Sequence, residues 1–257
     1  MFKCHCEVLT INHTSAEDSV LNEKTVKQKI NVDVVYYEAS YNSLAEDIQG
    51  ITNVLDAMKD INPKSVLVFA SSGSVYGNSS CIPQTESCPC QPTTLNGLSK
   101  LLAEQIIKFY ANSYNLKTVA LRYYNVVGKG QRTGFLLPIL NNVRAGQPPV
   151  IYGDPYQERC LTGVNDIVRA NILAYEKPEA YGEAFNIGGP EISTIEEIAK
   201  MTCRLSAFKG LKPKHVESNA PAYNFVPSIE KARKILKYSP KEKLKDIMIA
   251  LLQGGQS

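Results

Sequence analysis

The chain has 257 residues, enough for a sizeable core, and 44% hydrophobic with 21% charged residues places it among globular rather than disordered chains. A count of 28 basic against 25 acidic side chains leaves a net charge of +3, too balanced to argue for a nucleic-acid partner. No apolar run reaches the ~18 residues of a membrane span, and no basic-then-apolar leader opens the sequence, so neither a membrane nor an export route is expected and a cytoplasmic location is.

Residues 2–11 alternate, with Phe2, Cys4, Cys6 and Val8 on one face and Lys3, His5 and Glu7 on the other. This predicts a half-exposed strand and argues against the wholly apolar centre of a parallel sheet. A short helix is expected over 23–30 and a strand over 32–37. Leu44, Ile48, Ile51, Leu55 and Met58 follow helical spacing, which predicts an amphipathic helix over 44–59, stopped at Asn62-Pro63. An apolar strand over 65–70 leads into a loop over 78–95 rich in Pro, Ser, Thr and Cys. Leu98, Leu101, Leu102, Gln105, Ile106 and Phe109 outline the next helix, over 97–110, and 118–124 reads as a strand. Such alternation of strand and helix predicts an α/β fold with a doubly wound parallel sheet.

After Gly134 short helices and strands mix with loops. Helices are expected over 136–145, 165–175, 194–205, 228–237 and 244–252. Ser193-Thr194-Ile195-Glu196 has the spacing of a capping box at the start of the third. The change of pattern places a domain boundary near residue 130, giving units 1–130 and 131–257.

Seven cysteines include Cys4-His5-Cys6 and Cys88-Pro89-Cys90, with Cys81, Cys160 and Cys203 apart. C-x-C is not the usual zinc spacing and the count is odd, so unpaired thiols are expected and no metal site.

Two stretches carry candidate chemistry. Ser65-Val-Leu-Val-Phe-Ala-Ser-Ser-Gly-Ser-Val-Tyr-Gly77 ends in a small-residue turn, and Asn96-Gly97-Leu98-Ser99-Lys100 opens the following helix. Together they resemble the signature of the NAD-dependent epimerase/dehydratase family of extended short-chain dehydrogenases, with one residue changed. Further blocks follow in family order: 34–39, 121–128, 151–159, 164–170, 185–189 and 231–240. The resemblance implies an incomplete Rossmann-type sheet with a smaller C-terminal nucleotide-sugar lobe, the two lobes being interleaved in the family.

It also implies roles. Ser72 stands where the family has the Ser or Thr that bonds the substrate hydroxyl, and Lys100 where it has the lysine that supports a catalytic Tyr and the cofactor ribose. Asn96 stands in place of that Tyr, and an amide has no proton to give or take near neutral pH. Tyr76, Tyr123 and Tyr124 lie nearby, at positions the family uses for packing or substrate contact. Asn125 matches the Asn that meets the nucleotide. Arg159 matches the Arg that pairs with the diphosphate, a suitable job for a guanidinium fork. Cys160 replaces the acidic residue expected after it, and the second assisting Arg is lost near Asn224.

The family's cofactor is NAD, held by a glycine loop between a first strand and helix. The first glycine of this chain is Gly50, so no such loop precedes residue 34. Gly128-Lys-Gly130-Gln-Arg-Thr-Gly134 resembles a glycine fingerprint but reads as a turn. The expectation is a protein that carries no NAD, is catalytically degenerate, and retains a place for a UDP-sugar. Without the family's first strand its neighbour would expose an apolar edge, so either residues 2–11 pair there, or another chain does, or the fold is compromised. Helices 44–59 and 97–110 match the family's dimer helices, so a homodimer, or a heterodimer with an intact paralogue, is a further expectation. A regulatory partner role and a gene fragment stay open.

Overall fold

A computed structural model describes residues 19–38, 43–219 and 222–253. The strand expected over 2–11, and Cys4-His5-Cys6 within it, lie outside the described residues.

The first half builds one parallel sheet and its helices. Helix α1 (Glu23–Lys29) is capped by Asn22, whose side chain accepts from Thr25 N. Strand β1 (Val34–Tyr37), helix α2 (Leu44–Ile61), strand β2 (Val66–Ser72), helix α3 (Leu95–Tyr114) and strand β3 (Lys117–Tyr123) follow. Helix α3 begins two residues before the expected start, because Thr94 caps it by accepting from Gly97 N at 3.1 Å. It ends on Asn115 in the left-handed region at φ 54°.

Strand β4 (Val126–Val127), helix α4 (Leu136–Arg144), strands β5 (Val150–Tyr152), β6 (Glu158–Cys160) and β7 (Thr162–Gly163), and helix α5 (Val164–Glu176) come next. Strands β8 (Glu183–Ile187) and β9 (Ile192–Thr194), helix α6 (Ile195–Leu205), strand β10 (Lys214–Val216) and helices α7 (Glu230–Ile235) and α8 (Leu244–Gln253) complete the chain. The cap of α6 is displaced by one residue from its expected place. Thr194, not Ser193, accepts from the N3 backbone, and Glu197, not Glu196, returns the bond. Glu196 is drawn off by His215 and Lys200 instead.

The main sheet runs β1-β2-β3-β8, all parallel, so a strand from the second half of the chain pairs with a sheet built by the first half. Alternation along β2 sends Leu67 and Phe69 toward α1, α2 and α3, and Val66 and Val68 toward α5 and α7. Both faces are covered, as a parallel sheet requires. Among the described residues β1 forms one edge. Val34 and Val35 are half-buried there, Tyr36 is exposed and Tyr37 is buried. Helices α4, α6 and α8 enclose a second core around Leu136, Leu140, Ile198, Leu244 and Met248. No helix among the described residues is long and apolar enough to cross a membrane.

The expectation of unpaired thiols is corrected at one place. Cys81 and Cys88 form a disulfide, with Cα atoms 6.2 Å apart. The loop folds back between them: Cys88 N donates to Thr85 O at 3.0 Å, and Gln84 is fully buried between residues 226 and 228. Cys90, Cys160 and Cys203 are free.

Candidate functional site

The carboxyl ends of the parallel neighbours β1, β2 and β3 lie side by side, on the edge of an open sheet where ligands bind. Glu38 lies just past β1, Ser72 ends β2 and Tyr123 ends β3. A 3₁₀ turn (Gly73–Tyr76) follows Ser72. Its first residue has no room for a side chain, since a Cβ on Gly73 would meet the Tyr124 ring at 2.6 Å. Gly97 brings α3 against the same turn, where a Cβ would lie 2.5 Å from Ser74 O. That close approach joins the two sequence motifs.

Asn96 Nδ2 donates to Ser74 Oγ at 3.3 Å, and Ser74 Oγ donates to Ser72 Oγ at 2.7 Å. Ser72 Oγ also accepts from Ser74 N at 3.1 Å. The chain of groups is amide, hydroxyl, hydroxyl, and none of them titrates near neutral pH. Ser74 is the member that the motif reading passed over. Its presence between Asn96 and Ser72 is what gives the amide a partner.

Lys100 is buried at 8% exposure, with Nζ 4.9 Å from the centre of the Phe69 ring. Burial lowers its pKa, and the charges of Asp47 and Glu38 oppose the shift. One turn of α3 thus carries an exposed amide and, four residues on, an enclosed ammonium. Ser99, between them in sequence, donates to Asp47 Oδ2 at 2.5 Å and ties α3 to α2.

The remaining tyrosines hold other posts. Tyr76 and Tyr124 are fully buried. Tyr76 donates to Asn186 Oδ1 at 2.9 Å and accepts from Arg122 at 2.6 Å, and burial pushes its pKa up to about 12. Tyr124 donates to Gln84 Oε1 at 2.9 Å. Tyr123 reaches Glu38 and Asn171, and burial carries its pKa well above the usual phenol range. Behind them stands a buried ion pair that the sequence did not announce. Arg122 on β3 and Glu104 on α3 meet at 2.6 and 3.0 Å, and Ser71 donates to the same carboxylate.

Asn125 and Arg159 are brought to one strand, β6. Asn125 holds a left-handed backbone at φ 36°. Its side chain donates to Cys160 O at 3.0 Å and its carbonyl accepts from Thr162 N at 3.1 Å. Arg159 is 8% exposed and lies against the Tyr223 ring at 4.9 Å and the Phe135 ring at 5.9 Å. It donates to Tyr223 O at 2.7 Å, Glu158 O at 2.9 Å and Gln157 Oε1 at 2.9 Å. Its five N–H donors therefore retain Nε and one hydrogen of Nη2 for an anion. Burial lowers its pKa. Cys160 is buried and accepts from Gly189 N at 3.1 Å, and Asn224 accepts from Glu158 N at 2.9 Å. Both positions that depart from the family pattern have become backbone-binding posts. Gly130 and Gly134 have φ of 86° and 109°, and Gln131 N donates to Gly128 O at 3.3 Å, so residues 128–134 form a turn.

Known proteins resemble this chain in sequence and in fold. The model of the NAD dependent epimerase/dehydratase family matches residues 10–188. The UDP-glucose 4-epimerase of Streptococcus mutans is 28% identical over 244 residues, covering 83% of this chain and 73% of that protein. The uncharacterized UDP-glucose epimerase YtcB of Bacillus subtilis is 30% identical over 203 residues, covering 79% of this chain and 64% of that protein. A crystal structure of UDP-glucuronic acid 4-epimerase from Bacillus cereus, in complex with UDP-glucuronic acid and NAD, superposes with a TM-score of 0.82 at 27% identity, covering 92% of this chain and 79% of the other.

Proposed function

We propose a function from one premise: the chain belongs to the NAD dependent epimerase/dehydratase family. Within it, the protein acts as a nucleotide-sugar binder that performs neither hydride nor proton transfer. The observation that carries this reading is the bond from Asn96 Nδ2 to Ser74 Oγ, because an amide occupies the place of an acid–base phenol.

The residues present do not fit a dinucleotide. The first glycine, Gly50, lies inside α2 and serves packing, since a Cβ there would meet Tyr37 Oη at 2.5 Å. Inside a helix it offers no turn to approach a pyrophosphate. Lys100 lies against Phe69, in the field of Asp47 and Glu38. No chemical step is assigned to NAD on this chain.

The nucleotide side has the better support. Asn125 and Arg159 converge on β6, and a solved relative holds UDP-glucuronic acid. Titration calorimetry with UDP-glucose, UDP-galactose and UDP-glucuronic acid tests the reading. Saturable binding that is lost in a folded Arg159→Ala variant supports it. Heat-silent titrations with all three sugars count against it.

A second reading, a regulatory partner of an intact paralogue, draws on the exposed apolar stripe of α3. Leu98, Leu102 and Phe109 are 38%, 38% and 58% exposed along one side of that helix.

A further inference from the structure

The loop between the 3₁₀ turn and α3 holds three cysteines within ten positions: Cys81 and Cys88 joined, Cys90 free. The two sulfurs of the bridge are not equivalent. Cys81 is half-buried, whereas Cys88 is only 6% exposed. Cys88 Sγ also accepts from Thr85 N at 3.2 Å and lies 3.3 Å from Thr85 Oγ1. Ser87 Oγ, 2.9 Å from that hydroxyl, can donate to it and leave its hydrogen for the sulfur.

Thiol–disulfide exchange needs a thiolate to attack one sulfur while the other departs as thiolate, and a better-stabilised leaving thiolate departs faster. Hydrogen-bond donors favour the charged form of the group they face. Thr85 therefore polarises the bridge toward Cys88 as the leaving sulfur, and the more open Cys81 is the sulfur within reach of a reductant.

We propose that the Cys81–Cys88 bridge is a redox-exchange site whose substrate is a dithiol reductant. A reductant thiolate bonds to Cys81 Sγ, the Cys81–Cys88 bond breaks, and its electron pair leaves on Cys88 Sγ. The reductant's second thiolate attacks its own sulfur held on Cys81. A disulfide forms within the reductant and Cys81 departs as thiolate. Both cysteines take protons from solvent, so the bridge gains two electrons and the dithiol loses two.

The ring closed by the bridge contains the loop's two anchors. Gln84 N donates to Val226 O at 2.8 Å, and Gln84 O accepts from Ser228 N at 2.7 Å. Glu86 Oε1 accepts from Asn186 N at 2.8 Å. One residue along, Phe225 N donates to Glu158 O at 2.9 Å, next to Arg159. Reduction frees the ring that presents these anchors, so the redox state of the loop is transmitted to the segment beside β6. The proposal stands whether or not a nucleotide-sugar binds there.

The test uses the full chain without ligand. Native protein is treated with graded dithiothreitol, quenched with iodoacetamide, and its labelled cysteines are located by peptide mass spectrometry. Circular dichroism and the unfolding rate are followed in parallel. Expected are an unlabelled Cys81–Cys88 pair before treatment, joint labelling proportional to dithiothreitol at a rate well above unfolding, and retained dichroism. A monothiol trap, glutathione at limiting concentration, leaves its adduct on Cys81. Thr85→Val slows reduction about three- to tenfold by removing one donor from the leaving sulfur. Free Cys81 and Cys88 in untreated protein, reduction only at the unfolding rate, an adduct on Cys88, or an unchanged rate in Thr85→Val each overturns the proposal.

Discussion

Tyr123 donates its phenolic hydrogen to Glu38 Oε1 over 3.1 Å, while Asn171 Nδ2 donates to the same oxygen of Tyr123 at 2.8 Å. The bond spans the mouth of β2 and joins the chain just past β1 to the end of β3. Although Glu38 is exposed along much of its length, desolvation of its carboxyl raises the pKa, with Tyr123 and Lys100 pulling the other way.

That shift has a signed consequence. A carboxyl whose folded pKa exceeds its unfolded value contributes stability below the unfolded pKa and loses it as pH rises through the folded one. Glu38→Gln is expected to flatten the fall in stability just above the ordinary carboxylate range. Urea midpoints of the two proteins across that window measure it. A constant difference between them contradicts the assignment.

The Arg122–Glu104 pair predicts a large cost for removing one partner. Both side chains are buried, at 8% and 7% exposure, and Ser71 adds a third member. Glu104→Ala leaves a guanidinium enclosed without its counter-charge and is expected to cost about 3–5 kcal/mol. Glu104→Gln, which keeps acceptor oxygen in place, is expected to cost less. Denaturant unfolding at neutral pH measures both, and a Glu104→Gln variant as stable as wild type would remove the charge argument.

Restoring the phenol alone is not expected to restore an enzyme. Asn96→Tyr returns a phenol to the first turn of α3, but Gly50 remains a packing residue of α2. Purified wild type and Asn96→Tyr are expected to release no NAD on denaturation and to interconvert no UDP-glucose and UDP-galactose. Turnover by the variant above a Lys100→Ala control would falsify the account of what the chain lacks.

The exposed face of α3 gives a prediction about assembly. If Leu98, Leu102 and Phe109 meet a second chain, then Leu102→Glu with Phe109→Glu abolishes self-association seen by light scattering. Because both side chains are already open to solvent, the unfolding midpoint of dilute protein is expected to move little. A wild-type monomer across micromolar concentrations would leave the stripe without a self-partner.

Much of this arrangement is legible in the residues. The apolar period of α2 and α3 and the run Val66–Phe69 place helices and sheet within a few positions, because burial on one face imposes that spacing. Asn96, Ser72 and Lys100 could be located from their motifs alone. Strand β10 could not, since Lys214, His215 and Val216 are all exposed and it pairs with β5 through backbone alone. The one-residue slip of the α6 cap was equally hidden. Ser193 and Thr194, and Glu196 and Glu197, offer the same chemistry in adjacent registers, and the choice rests on His215, distant in sequence. Of the buried ion pair the sequence shows only an Arg beside the Val, Ala and Leu of β3, which by itself announces nothing. Its partner could not be named until α3 was packed against β3. The disulfide depended on how Gln84 docks, which no local pattern encodes.

Neighbouring residues of β3 serve opposite sides of the sheet: Arg122 turns to Glu104 on α3, and Tyr123 to Asn171 on α5. Inserting or deleting a single amino acid within this strand would exchange their directions, leaving a guanidinium aimed at α5 and a phenol aimed at a carboxylate pair-site. A substitution on β3 alters one contact, whereas a change in its length redirects every side chain beyond it, so single-residue insertions there should lower the unfolding midpoint more than point substitutions do.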